Sequence, residues 1–201
     1  RPVREKTPEV LCRQAKCLYE SKGFEEISLS SLSISDYSRL PELTEGLIDW
    51  SDKNMINLSL PSLRVDSFTK ELMDKIKSVR SSSLTFAPEA GTQRLRDVIN
   101  KNVTEEEILG ACRIAFEYGK DLVKLYFMSG LPTETAEDLE GIATLASRVV
   151  HEYYQNPHRQ KGRSPQVTIS VACFIPKPFT PFQWEAQDTM EMLEEKQEYL
   201  G

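Results

Sequence analysis

Apolar positions along this chain recur at two alternating spacings. Thr7-Pro8-Glu9 opens a helical stretch, with a threonine cap, a proline in the first turn and an acid near the positive helix end. Leu11, Ala15 and Leu18 follow at helical spacing until Gly23, a natural stop. At residues 26–31 the spacing changes to that of a strand. The change repeats along the chain: helix near 40–51, strand at 55–60, helix at 67–77, strand at 83–87 and a short helix at 92–99. Thr104-Glu105-Glu106-Glu107 is a capping box that opens a helix ending near Tyr118. A strand at 122–128 precedes a long helix opened by Thr135-Ala136-Glu137-Asp138. Its expected inner face is Leu139, Ile142, Ala143, Ala146, Val149, Val150 and Tyr153. A polar, partly basic loop within 151–166, a strand at 167–174 and a helix from Thr189 complete the reading.

Strand alternating with helix means parallel βα units. Five strands are predicted, and the first helix has no strand before it. The simplest restoration has six units. The expected fold is α/β, an incomplete (β/α)6 partial TIM-like barrel of parallel strands with its first strand missing, and residues 1–201 form one domain truncated at its N-terminus. Strands covered on both faces would be almost continuously apolar; these are not. One face carries Leu29, Leu58, Phe86, Leu125 and Val171, which should pack under helices. The other carries Ser30, Asn57, Ser59, Thr85, Lys124, Tyr126 and Ser170. A closed eight-stranded barrel fills its interior with branched apolar side chains. The polar face therefore predicts a wider or open barrel with a polar lumen, the alternative being a half-exposed sheet. The unpaired edge of the first visible strand would suit a dimer partner.

Composition narrows the partners. Lys and Arg number 25 against 31 Asp and Glu, a net charge of −6, which argues against wholesale nucleic-acid binding. No apolar run is long enough to span a membrane, and no secretory signal is visible. The four cysteines, Cys12, Cys17, Cys112 and Cys173, show no CxxC spacing. They suit a reducing, cytoplasmic setting better than a zinc site or a disulfide framework, and no metal ligands are assigned.

In parallel α/β folds, ligands gather at the carboxyl ends of the strands. The segments leaving those ends are Ser30-Ser31-Leu32-Ser33, Pro61-Ser62-Leu63-Arg64-Val65-Asp66, Pro88-Glu89-Ala90-Gly91-Thr92-Gln93-Arg94-Leu95-Arg96, Met128-Ser129-Gly130-Leu131-Pro132-Thr133-Glu134-Thr135 and Phe174-Ile175-Pro176-Lys177-Pro178-Phe179. As an ordered set covering nearly the whole chain, they resemble the radical S-adenosylmethionine superfamily, most closely an uncharacterised bacterial branch in which the barrel follows a cobalamin-binding-like domain.

The resemblance implies an S-adenosylmethionine-binding barrel within a radical enzyme. An upstream [4Fe–4S] cluster would cleave the cofactor to a 5′-deoxyadenosyl radical. Cobalamin, where used, would sit in a separate domain. The family's CxxxCxxC loop does not occur in this sequence, so the resemblance implies cluster ligands upstream of Arg1 and no turnover by this piece alone. Candidate cofactor contacts are Ser30, Ser31 and Ser33 for the amino-acid end, Arg64 for a carboxylate, Glu89 for ribose hydroxyls, Gly91, Arg94, Gly130, and Phe174 and Pro176 against adenine. Each also has a structural reading: caps for the serines, a surface pair with Asp66 for Arg64, helix-end electrostatics for Glu89 and loop stiffening for the prolines. Of Arg94 and Arg96, one is expected to face the mouth and the other to be solvated. Glu134 has the weaker claim, because Thr135 already explains a helix start. Two other functions stay open: a methylthiotransferase-like member acting on RNA, and a non-catalytic scaffold or interaction module.

Overall fold

A computed structural model describes residues 4–24, 26–29, 37–54, 56–59, 70, 84–159 and 162–201. Within them lie strands β1 (Glu26–Ser28), β2 (Asn57–Ser59), β3 (Leu84–Glu89), β4 (Leu122–Ser129) and β5 (Gln166–Cys173). The helices are α1 (Pro8–Lys22), α2 (Leu40–Asn54), α3 (Gln93–Val98), α4 (Glu105–Glu117), α5 (Ala136–Gln155) and α6 (Met190–Leu200). Every strand pairing is parallel. β1 lies beside β2 in a two-stranded sheet, and β3, β4 and β5 neighbour one another in sequence order in a separate three-stranded sheet. Sequential parallel neighbours joined through helices are the winding of a barrel wall; a doubly wound sheet would reverse its order at a switch point. The fold is therefore the expected α/β partial barrel.

Local sequence explains the helix ends. Gly23 adopts φ +67°, and its N–H bonds the Tyr19 carbonyl at 2.6 Å, closing α1. At α4 both halves of the capping box form: Thr104 N–H to Glu107 Oε2 at 2.7 Å, and Glu107 N–H to Thr104 Oγ1 at 3.3 Å.

The main core lies between the β3–β5 sheet and its helices. Phe86, Val123, Leu125 and Phe127 are buried against Ile108, Cys112 and Ala115 of α4 and Leu139, Ile142 and Val149 of α5. Each such side chain contributes roughly 1.5–3 kcal/mol on burial. A second cluster joins Ala15, Ile27, Leu43 and Leu47 under α1 and α2, and half-buried Leu29 packs against both. On the opposite sheet face, Thr85, Lys124 and Thr168 are in register across three strands. Lys124 Nζ lies 4.8 Å from the centre of the Tyr126 ring. The period of two thus divides β3 and β4 as expected.

Several expectations are corrected. Val171 is 38% exposed and its neighbour Ile169 is similarly open. A long loop separates β5 from α6, and α6 packs on α5 through Tyr199 and Glu140, so among the described residues no helix fully covers β5. Ala143 is exposed, and Leu145 takes the inner position instead. The long helix continues through His151 to Gln155. Apart from Lys70, the helix expected over 67–77 lies outside the described residues, as do Ser30, the 61–66 segment and the side chains of Asn57, Leu58 and Ser59.

The turn after β3 is set by contact between two backbones. A Cβ on Gly91 would lie 2.3 Å from Ile142 N and 2.5 Å from Asp138 O; one on Gly141 would lie 3.0 Å from the Gly91 carbonyl carbon. Gly91→Ala should therefore cost about 3 kcal/mol through forced separation of the turn from α5. Gly110 in α4 has no heavy atom within 4 Å of its built Cβ, and Gly110→Ala should add roughly 0.5–1 kcal/mol. Urea midpoints of the two variants would move in opposite directions.

Candidate functional site

At the carboxyl end of β3 the pairing with β4 slips. Phe86 faces Leu125, but Glu89 faces Phe127, so the bulge inserts one extra residue. Glu89 leaves the bulge at φ +69°, a conformation that costs a residue with a side chain of order 1–3 kcal/mol. Its half-buried carboxylate accepts from Lys101 Nζ at 3.2 Å. Beyond Gly91, Thr92 caps α3 by accepting from Leu95 N–H at 3.3 Å. Arg96 is fully buried behind this turn. Its Nη1 donates to the carbonyls of Ala90 at 2.9 Å and Gly91 at 3.3 Å, and its Nη2 donates to Gln93 Oε1. Burial pushes the Arg96 guanidinium pKa down, opposed by Glu105 and Asp97. Arg96 Nε has no hydrogen-bond partner.

The end of β4 carries two more left-handed residues, Gly130 at φ +78° and Thr133 at φ +69°. The Gly130 N–H donates to Glu134 Oε1 at 2.9 Å. A buried carboxylate ties this turn to the previous one. Asp138, 2% exposed, accepts from Thr92 Oγ1 on one oxygen and from Arg94 Nη2 on the other. The same second oxygen accepts the Thr135 N–H and Oγ1, each at 2.8 Å. Arg94 also donates to the Thr133 carbonyl at 2.8 Å. Burial pushes the Asp138 carboxyl up, but the bonds from Thr92, Arg94 and Thr135 outweigh it and hold its pKa at about 2.

The end of β5 adds an apolar shelf. Phe174 N–H bonds the Ser129 carbonyl at 2.8 Å, which places the ring in a small cluster with Ala90, Leu95 and Leu131. Phe182 meets it edge-on at 6.1 Å, with half-buried Met128 and Ile99 alongside. Half-buried Pro176 follows, and Ile175 between them is exposed.

Glu89, Gly91, Arg94, Gly130, Phe174 and Pro176 therefore all lie at the carboxyl ends of β3–β5. Ser30, Ser31, Ser33 and Arg64 fall outside the described residues. Gly91 has a packing reason of its own, and Arg94 is engaged by Asp138 and Thr133. The expectation that one of Arg94 and Arg96 faces the mouth while the other is solvated is corrected: Arg94 is the half-open one, bound to Asp138 and Thr133, and Arg96 is fully buried, bracing the turn's carbonyls. Glu134, given the weaker claim, is 2% exposed and holds the Gly130 amide. Sequence reasoning missed Asp138 as a hub, although its place three residues after Thr135 is the capping-box spacing. Nothing local signals that Thr92 and Arg94 reach it from another loop.

A charged carboxylate next to an apolar shelf suits a ligand with both a polyhydroxyl and an aromatic part. The cysteines do not suit a metal cluster. Cys112 sits in the core with its thiol pushed up by burial, and Cys17 is on the surface. Among the described residues, no three His, Cys, Asp or Glu side chains converge as metal ligands. A cavity of about 830 Å³ lies at the carboxyl ends of α4 and α5, opposite the strand ends. It is lined by the paired charges Arg113–Glu152 and Lys70–Glu117, which read as structural on this face of the fold.

Asp138 makes acid stability testable. Its pKa falls from an ordinary 3.8 to about 2 on folding. Its contribution is present above the unfolded value and lost as pH falls through the folded one. Asp138→Asn should lower stability by about 2–4 kcal/mol at pH 7. Urea midpoints at pH 7, 4 and 2.5 should also show a shallower acid limb in the variant than in the parent.

Among the described residues, no helix is long and apolar enough to cross a membrane. The fold is similar to that of Elp3 from Methanocaldococcus infernus lacking residues 1–46. The TM-score is 0.53 at 12% identity, over 94% of this chain and 45% of that one. An uncharacterized protein of Methanocaldococcus jannaschii is 37% identical over 163 residues, 81% of this chain and 33% of that protein. A candidate methylthiotransferase of the same organism is 25% identical over 144 residues, 68% of this chain and 31% of that protein. The chain thus spans about a third of the length of the curated relatives it matches. The sequence model of the Radical SAM superfamily matches residues 1–146, which contain the β3 and β4 turns but not the Phe174 shelf. With that match over most of its length, and a parallel partial barrel whose strand-end turns carry the motif segments, the chain belongs to the radical SAM superfamily.

Proposed function

We propose that this domain binds S-adenosylmethionine at the carboxyl ends of β3–β5, as part of a radical enzyme whose [4Fe–4S] cluster is ligated by cysteines outside these residues. Superfamily membership implies both groups. The observation that carries the placement is Glu89, held at φ +69° by the bulge with its carboxylate half-open at the mouth. Backbone strain kept at a strand end is a mark of functional sites, and a carboxylate aimed at ribose hydroxyls would give it a purpose. The Phe174–Leu131 shelf suits adenine. Ser30, Ser31 and Ser33 would meet the amino-acid end, and Arg64 its carboxylate.

When bound to the reduced cluster, the cofactor supplies a hydrogen-abstracting radical. The protein's part is orientation and exclusion of water. Glu89 fixes the ribose, the shelf covers the base, and the Asp138 frame keeps the two turns in one spacing. Arg94 acts through that frame and is a positioning residue rather than a direct contact. The substrate would lie along the polar sheet face with Thr85, Lys124 and Tyr126.

The wider protein's reaction is a further proposal. An RNA-modifying, methylthiotransferase-like activity draws support from the candidate methylthiotransferase among the relatives. The net charge of −6 counts against an RNA-binding surface on this piece, but not on the rest of the protein. A cobalamin-binding partner domain is supported by motif resemblance alone, and the two Methanocaldococcus jannaschii relatives are archaeal rather than bacterial. The open edge of β1 would suit a second copy, and a non-catalytic scaffold is the competing reading.

The test is calorimetric titration of S-adenosylmethionine into the intact protein, as parent and as Glu89→Ala. Loss of hydrogen bonds to a charged acceptor should weaken binding by roughly tenfold or more, at about 1.5–3 kcal/mol. Melting should change little. Equal affinities would remove Glu89 from the site, and no binding by the parent would favour the scaffold.

A further inference from the structure

The turn at the end of β4 is held from a distant part of the chain. Lys196, on α6, donates to Glu134 Oε1 at 2.7 Å and to Asp188 Oδ2 at 2.6 Å. The three side chains are 19%, 2% and 17% exposed, so the pair of ion pairs is largely shielded from water. Glu134 Oε1 is the atom that accepts the Gly130 N–H. Asp188 lies on the other side of the same residue: a Cβ on Gly130 would sit 2.8 Å from Asp188 Oδ2 and 3.5 Å from Leu193 Cδ2. Leu193 is buried, Thr189 caps α6 by accepting from Met192 N–H, and Tyr199 donates to Glu140 of α5. Leu193 and Lys196 thus set α6 against the β4 turn while Tyr199 ties it to α5, and one ammonium keeps two carboxylates together there.

From this geometry we infer that Lys196 is a positioning residue for the cofactor site. It acts through Glu134 to hold the Gly130 turn in the conformation that receives S-adenosylmethionine, which makes α6 a working part of the site. This rests on the cofactor reading above and adds a residue to it. Without the ammonium, Glu134 and Asp188 face each other as unscreened like charges in a shielded place. Glu134 then swings away, the Gly130 amide loses its acceptor, and the left-handed turn relaxes. Burial pushes the Lys196 pKa down, but Asp188 and Glu134 more than reverse this and raise it, consistent with a firmly charged ammonium in the folded protein.

The experiment uses the intact protein as parent, Lys196→Met, Lys196→Arg, Glu134→Gln and the double variant Lys196→Met/Glu134→Gln. Hydrogen exchange of residues 130–135 without cofactor reads the clasp, and titration with S-adenosylmethionine reads its consequence. Lys196→Met should speed exchange at Gly130 and weaken cofactor binding roughly tenfold. Lys196→Arg should restore most of both. The double variant should be no worse than the worse single variant, because both changes break one chain of contacts. Unchanged exchange at Gly130 overturns the proposal, as does faster exchange with unchanged affinity. If Lys196→Met does not fold, Asp188→Asn, which leaves Lys196 paired with Glu134, should show the same two changes to a smaller degree. Failure of the parent to bind the cofactor is a different result: it removes the cofactor reading first, and this proposal with it.

Discussion

Asp138 is a buried carboxylate that joins the turn after β3 to the first turn of α5. It belongs by sequence to the first turn of α5, where an acid favours the helix N-terminus. Two of its four donors, however, come from the turn after β3. A carboxylate at 2% exposure is costly unless its lone pairs are filled, and filling them here requires both loops at once. The glycine contact beside it sets the distance: Gly91 and Gly141 let a turn and a helix meet backbone to backbone. The polar bond supplies direction and the glycines supply closeness. Neither would suffice alone, because a carboxylate does not fix a spacing and small residues do not fix an orientation.

Around this frame the three strand ends have different tasks. β3 presents a strained carboxylate, β4 a left-handed turn with a held amide, and β5 an aromatic shelf. All three face the same end because the strands are parallel and sequentially paired, so each carboxyl end lies beside the next. The helix-covered face of the sheet absorbs the apolar residues, which leaves the opposite face free to be polar without an unsatisfied core. Lys124 illustrates this: on the helix face it would be a buried cation, while on the open face it lies against the Tyr126 ring.

The alternation of strand and helix was legible because it is carried by local period and capping chemistry. Thr104 with Glu107 and the Gly23 stop act within one turn of chain, and both formed as read. The face division of β3 and β4 was legible for the same reason. The exposure of Val171 was not, since it depends on where a helix beyond a long loop comes to rest. Among the candidate site residues, Glu89 and Gly130 were singled out from their place at strand ends. Their left-handed angles, the slip in register, the burial of Arg96 and the reach of Lys196 to Glu134 are contacts between segments far apart in sequence. No spacing rule encodes them.

One frame, built from the ends of β3, β4 and β5, is proposed to receive S-adenosylmethionine. The most direct measurement is hydrogen exchange of the intact protein with and without saturating S-adenosylmethionine, resolved by peptide. The account predicts slowed exchange in three separate stretches, 88–95, 129–135 and 173–177, with little change across the buried centres of α4 and α5. Protection confined to other parts of the protein, with those three stretches unaltered, would contradict it.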